Sequence, residues 1–473
     1  MRVLFVCLFV VNHVVVQSAQ EIKGDNLARE LDKVADSVGW SFLQIAGKIG
    51  GRMIEVDNAL KRLKEAVEED QLSSIEAPQD CCVDGHYQEN IRFRTQVSEA
   101  NFCYSKPSYV IGNNIRYPST KVLEAMKKNL NVKHLQFQYI GLKSGLYINY
   151  PATKLTDCDT YDPRFRPYYV STTTSTPRDV VVVVETSASI RGEYLFEAKH
   201  AALTVMESMG VNDRFGLVVF NDIAKTLVGC YENQLVPVTS ATKKSMREFL
   251  TSQIGEGGAN YAAALHQILL FVTDGGHSGG NPLEVIRDEN QALQNRVLIN
   301  TYGLGTRLST DDVNLLKNMA DQTLNSDSYG YIKRGKIFSN LTSSSLREKM
   351  GTFYDDFSVP LSDSPTYTQP YKDFFINESI ITCCLPVTLN AAFTGVVCAD
   401  VLVSELVAEI LYLKQDEISY AFIMDGEERT LVHPLLPDPR DVTGKKQDIN
   451  NIYNFETSGD VFEVINSMKK KVY

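Results

Sequence analysis

Two sets of residues have the types and spacing to form a site. Val180-Val-Val-Val-Val-Glu185-Thr-Ser187-Ala-Ser189 puts a carboxylate and two hydroxyls on the loop just past an all-valine strand, and Phe271-Val-Thr-Asp274-Gly275 puts a second carboxylate at the end of another. In a doubly wound parallel sheet, that edge is where ligands bind. Tyr161-Asp-Pro-Arg164-Phe-Arg166-Pro-Tyr168-Tyr169 crowds two guanidiniums and three phenols into nine residues. A planar Arg fork holds a carboxylate through two hydrogen bonds, and aromatic rings wall an ammonium. Asp400, in Gly395-Val-Val-Cys-Ala-Asp400, offers the complementary anion from a distant strand. A free α-amino acid needs both charges answered at once, which this set can do; without a ligand, buried Arg and Asp would instead pair with each other.

A third motif fails as chemistry. Gly276-His-Ser278-Gly-Gly280 matches G-x-S-x-G, but a nucleophile elbow needs its Ser at the turn, with an acid and then a His following it. Asp274 comes before the Ser, and the one later histidine is His433. No H-E-x-x-H, Walker A or G-x-G-x-x-G pattern occurs either. The expectation is a protein that binds and does not catalyse.

Patterning supplies the elements that must hold these residues. Apolar residues recur at spacings of three and four from Leu27 through Leu31, Val34 and onward to Leu60, Leu63 and Val67, which predicts one long amphipathic helix with a bend at Gly50-Gly51. Residues 136–140 and 146–150 alternate around a Gly-bounded turn and read as a hairpin, feeding a Pro-punctuated turn over 161–169. Five consecutive valines, 180–184, require a strand buried on both faces. Helix-like and strand-like stretches then alternate (194–209, 214–220, 242–254, 268–273, 282–293, 296–304 and 311–320), the pattern of a doubly wound α/β domain. Residues 261–267 read as helix and 268 starts a strand at once. Seven helical residues span only about 10 Å, so a connecting segment is expected to be missing there. After residue 355 β texture returns, with a strand over 393–403 and a hairpin of 420–425 with 429–433 across Asp425-Gly426. The organisation expected is a leader over 1–19, a helix and first β-rich part over 20–177, an α/β insert over 178–355, and the second β-rich part over 356–473.

Composition sets the setting. With 47 basic and 58 acidic side chains in 473 residues, the net charge is −11, and 44% of residues are hydrophobic. Those values are globular, and nucleic acid is not an expected partner because the densest basic run is Lys469–Lys471. Met1-Arg2, an apolar run to Val16 and small residues at Ser18 and Ala19 read as a secretory leader. Beyond it no apolar stretch reaches the length needed to span a bilayer, so membrane association is expected only through sequence absent from this chain. The eight cysteines after Cys7 are even in number and lack zinc spacing, which in a secreted chain points to disulfides of unspecified pairing. Asn340-Leu-Thr342 and Asn377-Glu-Ser379 are glycosylation sequons.

With these residues in hand, the insert resembles a von Willebrand factor A domain, whose adhesion-site metal is held by Asp-x-Ser-x-Ser, a Thr on a second loop and an Asp on a third. Glu185, Ser187, Ser189 and Asp274 occupy four of those positions, with Glu185 in place of Asp; Ala259 stands where the Thr would be. The resemblance implies Mg²⁺ or Ca²⁺. The longer acid and missing hydroxyl imply a decayed site, with Ca²⁺ tolerated better than Mg²⁺. The flanking parts resemble a double Cache sensor domain, in which Tyr161, Arg166, Tyr169 and Asp400 match the amino-acid motif and Tyr168 replaces its Trp. A von Willebrand A domain inserted in a Cache domain behind a leader is the layout of the calcium-channel α2δ-like family. That resemblance implies an extracellular auxiliary subunit, secreted or on the outer face of the plasma membrane. Its partner would be a channel pore-forming subunit or another cell-surface receptor. The alternative is a metal-dependent adhesion protein working through the von Willebrand A domain.

Overall fold

The computed structural model describes residues 5–10, 25–107, 115–155, 161–173, 178–190, 192–209, 213–227, 234–264, 270–305, 308–356, 363–368, 370–372, 376, 378–411, 419–424, 430–433, 435, 452–455 and 465. The chain divides into two compact units: one discontinuous, from Met1–Pro107, Gly112–Pro163 and Pro360–Tyr473, and one that is essentially the intervening Arg164–Val359.

In the first unit, Asp25–Asp70 is a single 46-residue helix that continues through Gly50-Gly51. It packs on a sheet ordered Thr366–Tyr367, Ser379–Leu389, Ala392–Leu402, Gln138–Leu142, Tyr147–Tyr150, Cys103–Ser105 and Gln79–Asp80. Side chains alternate across a strand, so one residue set meets the helix and the other the opposite face. Ile381, Leu385, Val397, Ala399 and Val401 share the core with Ile49, Met53, Val56, Leu60 and Leu63 of the helix. Burying each of these aliphatic side chains fully contributes roughly 1.5–3 kcal/mol, which orders a helix whose own propensity could not. Tyr367 donates its hydroxyl to both oxygens of Asp57, at 2.7 and 2.8 Å, tying the helix to an edge strand. Burial pushes the Asp57 carboxyl up to about 6, against the pull of the Tyr367 hydrogen bond and Lys61.

The expected disulfides form, with one described cysteine left out of them. Cys81 bonds Cys103, Cys384 bonds Cys398, and Cys82 is also in a disulfide, but Cys383 is a free, buried thiol. The reason is the strand period: Cys384 faces Cys398 directly across the ladder, while Cys383 points into the helix-side core. Burial raises its thiol far above the ordinary value, which keeps it protonated and inert. The hairpins form over Gln138–Leu142 with Tyr147–Tyr150 and Ser419–Met424 with Thr430–Val432; the Asp425-Gly426 turn lies outside the described residues. Phe5–Val10, within the expected leader, lies as a strand beside Ser419–Met424. The stretch expected as a turn over 161–169 is helical instead, with 3-10 geometry at Pro163–Phe165 and an α-helix at Pro167–Thr173. Each starts on a proline, whose fixed φ suits a first helical position and whose missing N–H costs nothing there.

In the second unit Asp179–Glu185 is central, parallel to Arg214–Phe220 on one side and Leu270–Thr273 on the other; Asn300–Leu304 and Ile337–Leu341 continue the parallel sheet. The five valines divide by parity. Val180, Val182 and Val184 pack with Ala198, Ala202, Val205 and Leu250, while Val181 and Val183 pack with Phe220, Phe271 and Tyr261 on the other face. This is the doubly wound layer structure that the all-valine run requires. The junction where a connecting segment was expected to be missing falls on residues 265–269, outside the described residues.

Candidate functional site

Parallel strands end at the same edge, so Glu185, Thr186–Ser189 and Asp274 meet there. Loop 186–189 is held against loop 256–258 by Ala188 N–H donating to Gly257 O at 2.9 Å and Glu256 N–H to Thr186 O at 3.0 Å. Glu185 is fully buried and its carboxylate is committed. One oxygen accepts from the Ser187 hydroxyl, and the other accepts from the Thr273 hydroxyl and, at 3.3 Å, from the Asp274 N–H. Ser187 Oγ lies 2.7 Å from Ser189 Oγ, which donates to Asp274 Oδ1 at 3.1 Å. Behind them Tyr261 Oη is 2.7 Å from Thr273 Oγ1, extending the chain of hydroxyls into the core. Burial, and then the Asp274 charge, push Glu185 up to about 7; burial also raises Asp274. The four residues picked from sequence are therefore brought together. Thr273 and Tyr261 were missed. A fully buried hydroxyl inside the apolar run Leu-Phe-Val-Thr must find a partner, and that was the available signal.

These residues offer an incomplete set of protein donors for a divalent ion. Ser187 Oγ, Ser189 Oγ and Asp274 Oδ1 form one chain of oxygens. Ala259 offers a buried methyl where a further donor would stand, and one Glu185 oxygen faces inward to Thr273 and the Asp274 N–H while the other is engaged by the Ser187 and Ser189 hydroxyls. A hard cation takes six or more oxygens. Among the described residues no cluster of three or more Asp, Glu, His or Cys side chains is arranged to hold a metal. Ser278 of the G-x-S-x-G motif clamps loops: its hydroxyl accepts from Ala259 N–H at 3.0 Å, and its N–H donates to Ala259 O at 2.8 Å. Asp222 does the same for Gly258, accepting its N–H at 3.0 Å.

In the first unit Asp400 is 2% exposed and sits on the sheet face away from the long helix. Its Oδ1 accepts from Tyr139 Oη at 2.8 Å and Thr382 Oγ1 at 2.6 Å, and Tyr371 Oη lies 2.7 Å from Thr382 Oγ1. Tyr147 bridges Tyr139 and Tyr161, with ring centroids 5.6 and 4.7 Å away. Tyr161 and Asp400 thus belong to one aromatic and hydroxyl cluster, whose Tyr139, Thr382 and Tyr371 the sequence reading missed because they come from three separate strands. Arg166, Tyr168 and Tyr169 belong to the second unit. The Arg166 carbonyl starts the helix by accepting from Tyr169 and Val170 N–H, both at 3.1 Å, and both tyrosines are buried. Arg164 lies against Gly351, where an added Cβ would come within 2.7 Å of its guanidinium carbon, and donates to Glu348 O at 3.3 Å. Asn340 is exposed with φ 57° at the end of its strand; Asn377 lies outside the described residues.

Residues 180–292 match the von Willebrand factor type A domain family. The voltage-dependent calcium channel subunit alpha-2/delta-3 of Rattus norvegicus is 24% identical over 360 residues, covering 68% of this chain and 32% of that protein. Subunit alpha-2/delta-2 of Homo sapiens is 22% identical over 494 aligned positions, covering 89% of this chain and 41% of that protein. The chain thus spans about a third of the length of the first of these relatives. A solved von Willebrand factor type A structure from Catenulispora acidiphila aligns at 14% identity with a TM-score of 0.32, over 48% of this chain and 59% of that one. The chain is a relative of the calcium-channel α2/δ subunits, with a von Willebrand factor type A domain at its centre.

Proposed function

We propose that the chain is an extracellular, non-enzymatic auxiliary subunit of voltage-gated calcium channels that changes channel surface level or current. The observation that carries this is the alignment with alpha-2/delta-2 over 89% of the chain, through both units and not the von Willebrand A domain alone. In this reading residues 1–19 direct secretion, the first unit is Cache-like, and Asn340 and Asn377 carry glycans. Among the described residues no helix is long and apolar enough to cross a membrane. Co-expression of this chain with a pore-forming subunit is expected to change current density at least twofold, with co-precipitation of the two. Unchanged current and surface level without co-precipitation would remove the proposal. The adhesion alternative has less behind it, because its metal donors are incomplete.

Ligand preferences follow from the two clusters. Asp400 with the rings of Tyr139, Tyr147 and Tyr161 suits an ammonium, so a free amino acid is the small ligand we propose. In a thermal melt an amino acid that binds only the folded chain stabilises it by RT ln(1 + [L]/Kd), about 2.7 kcal/mol at a hundredfold excess. The expected result is a shift with one class of amino acid, lost in Asp400→Asn, and none with millimolar Ca²⁺ or Mg²⁺. A metal shift reversed by chelation would contradict the incomplete donor set; no amino-acid shift on a cooperative melt would remove the sensing role.

A further inference from the structure

We infer that the second unit carries a docking surface for an acidic polypeptide segment, at the sheet edge opposite the Glu185 cluster and independent of it. Two connections form it: residues 293–299, which lead into Asn300–Leu304, and residues 322–336, which lead into Ile337–Leu341. Leu293, Tyr329 and Tyr331 are 47, 54 and 84% exposed there, beside the exposed cations Arg296, Lys333 and Arg334. Lys333 and Arg334 make no ion pair among the described residues. The two connections hold four cations, Arg296, Lys333, Arg334 and Lys336, to one acid, Asp327, which accepts the Ile332 N–H at 3.4 Å; Asp321, just before them, pairs with Lys317 at 3.2 Å. A chain of net charge −11 therefore holds a local basic field mixed with exposed tyrosines.

The surface is built rigidly. Asn295 is fully buried and its amide donates to both Ser326 O and Gly330 O, each at 2.8 Å, pinning one connection to the other. Gln322, 2% exposed, donates to Val297 O at 2.9 Å and Lys333 O at 3.0 Å. Gln294 and Asn295 both take positive φ, 57° and 54°, and Gly330 at φ 119° leaves room for the Gln294 carbonyl, which an added Cβ would meet at 2.5 Å. Backbone held in such regions is held by its surroundings, and it fixes where the neighbouring side chains stand. Exposed Tyr and Arg on a preorganised base are the residues that dominate protein interfaces, and unpaired cations steer an oppositely charged partner. The exposed Leu293, Tyr329 and Tyr331 favour a polypeptide with an apolar anchor over a sulfated glycan, which would need a denser basic stripe.

The test uses the full chain and a fluorescent synthetic peptide rich in Glu and Asp with one Phe and one Leu. Anisotropy should report binding that weakens with salt and falls at least tenfold in Tyr331→Ser/Lys333→Glu/Arg334→Glu. Lys244→Glu, a charge reversal elsewhere on the same unit, should change it less than twofold. All four substitutions are on exposed side chains, and unchanged melting confirms folding. Equal binding by the triple variant and the wild type, or binding of heparin but not of the peptide, would overturn the proposal.

Discussion

Asp213→Ala is expected to destabilise the second unit by about 3–5 kcal/mol, which in a domain of this size lowers its melting temperature by on the order of 10 °C. Asp213 and Arg178 are 5 and 3% exposed at the start of the sheet. Arg178 reaches both Asp213 oxygens, through Nε at 3.0 Å and Nη2 at 2.5 Å, and its backbone N–H donates to the same carboxylate at 3.0 Å. Removing the acid leaves a buried guanidinium and a buried N–H without their acceptor, and the cost is that desolvation rather than the worth of the pair. The neighbouring residues supply an internal control. Asp179 and Arg214 form the charge-reversed pair one step along the same two strands, also through two bonds, but their side chains are 45 and 56% exposed. Asp179→Ala should therefore cost under about 1 kcal/mol. Calorimetry of the two variants decides the matter: equal losses would mean that burial is not what gives the Arg178–Asp213 pair its effect.

How much of this was legible in the sequence depends on whether an interaction is local. The valine run fixed a strand buried on both faces, and with it the edge at which Glu185, Ser187, Ser189 and Asp274 meet, because strand ends and the loops after them are local features. Thr273 was not legible as a partner of Glu185, nor Tyr261 as the partner of Thr273, since one comes from a neighbouring strand and the other from a short helix (Tyr261–Ala264) outside the sheet. The same holds for Asp400. Its position in an apolar strand marked it as a residue needing partners, but Tyr139 and Thr382 become those partners only through the register that sets Thr382 opposite Asp400. Cysteine pairing follows that rule as well: Cys384 and Cys383 are adjacent in sequence, and only the ladder shows that one faces Cys398 and the other the core. The helical turns at Pro163–Phe165 and Pro167–Thr173 were misread because proline marks both a break and a first helical residue, and spacing alone does not separate the two.

The second large expected effect is on pH. Glu185, raised to about 7 from an ordinary 4.5, binds its proton more tightly in the folded state than in the unfolded one. Its stabilising contribution is then fully present below about 4.5 and is lost as pH rises through about 7, so the second unit should gain stability on acidification across that window. The slope is limited to about 1.4 kcal/mol per pH unit for one proton. Glu185→Gln should remove the Glu185 part of the slope, leaving what the raised Asp274 contributes, and make the unit more stable than wild type at pH 8, by on the order of 1–3 kcal/mol. The substitution is nearly isosteric: its carbonyl oxygen can still accept from Thr273 and the Asp274 N–H, its amide can donate to Ser187 Oγ once that hydroxyl rotates, and the repulsion with Asp274 is gone. Asp57 titrates in the same direction but in the first unit and over a lower window, from 3.8 to about 6, so the difference between wild type and variant isolates Glu185. A cation held between these carboxylates would reverse the sign, since it stabilises their charged forms and Gln would weaken it. Melts of the two proteins at pH 5.5, 7 and 8, with and without chelator, therefore separate the readings. A wild type that loses stability on acidification, or a variant less stable at pH 8, would mean that Glu185 serves the site as a charge and not as a buried acid.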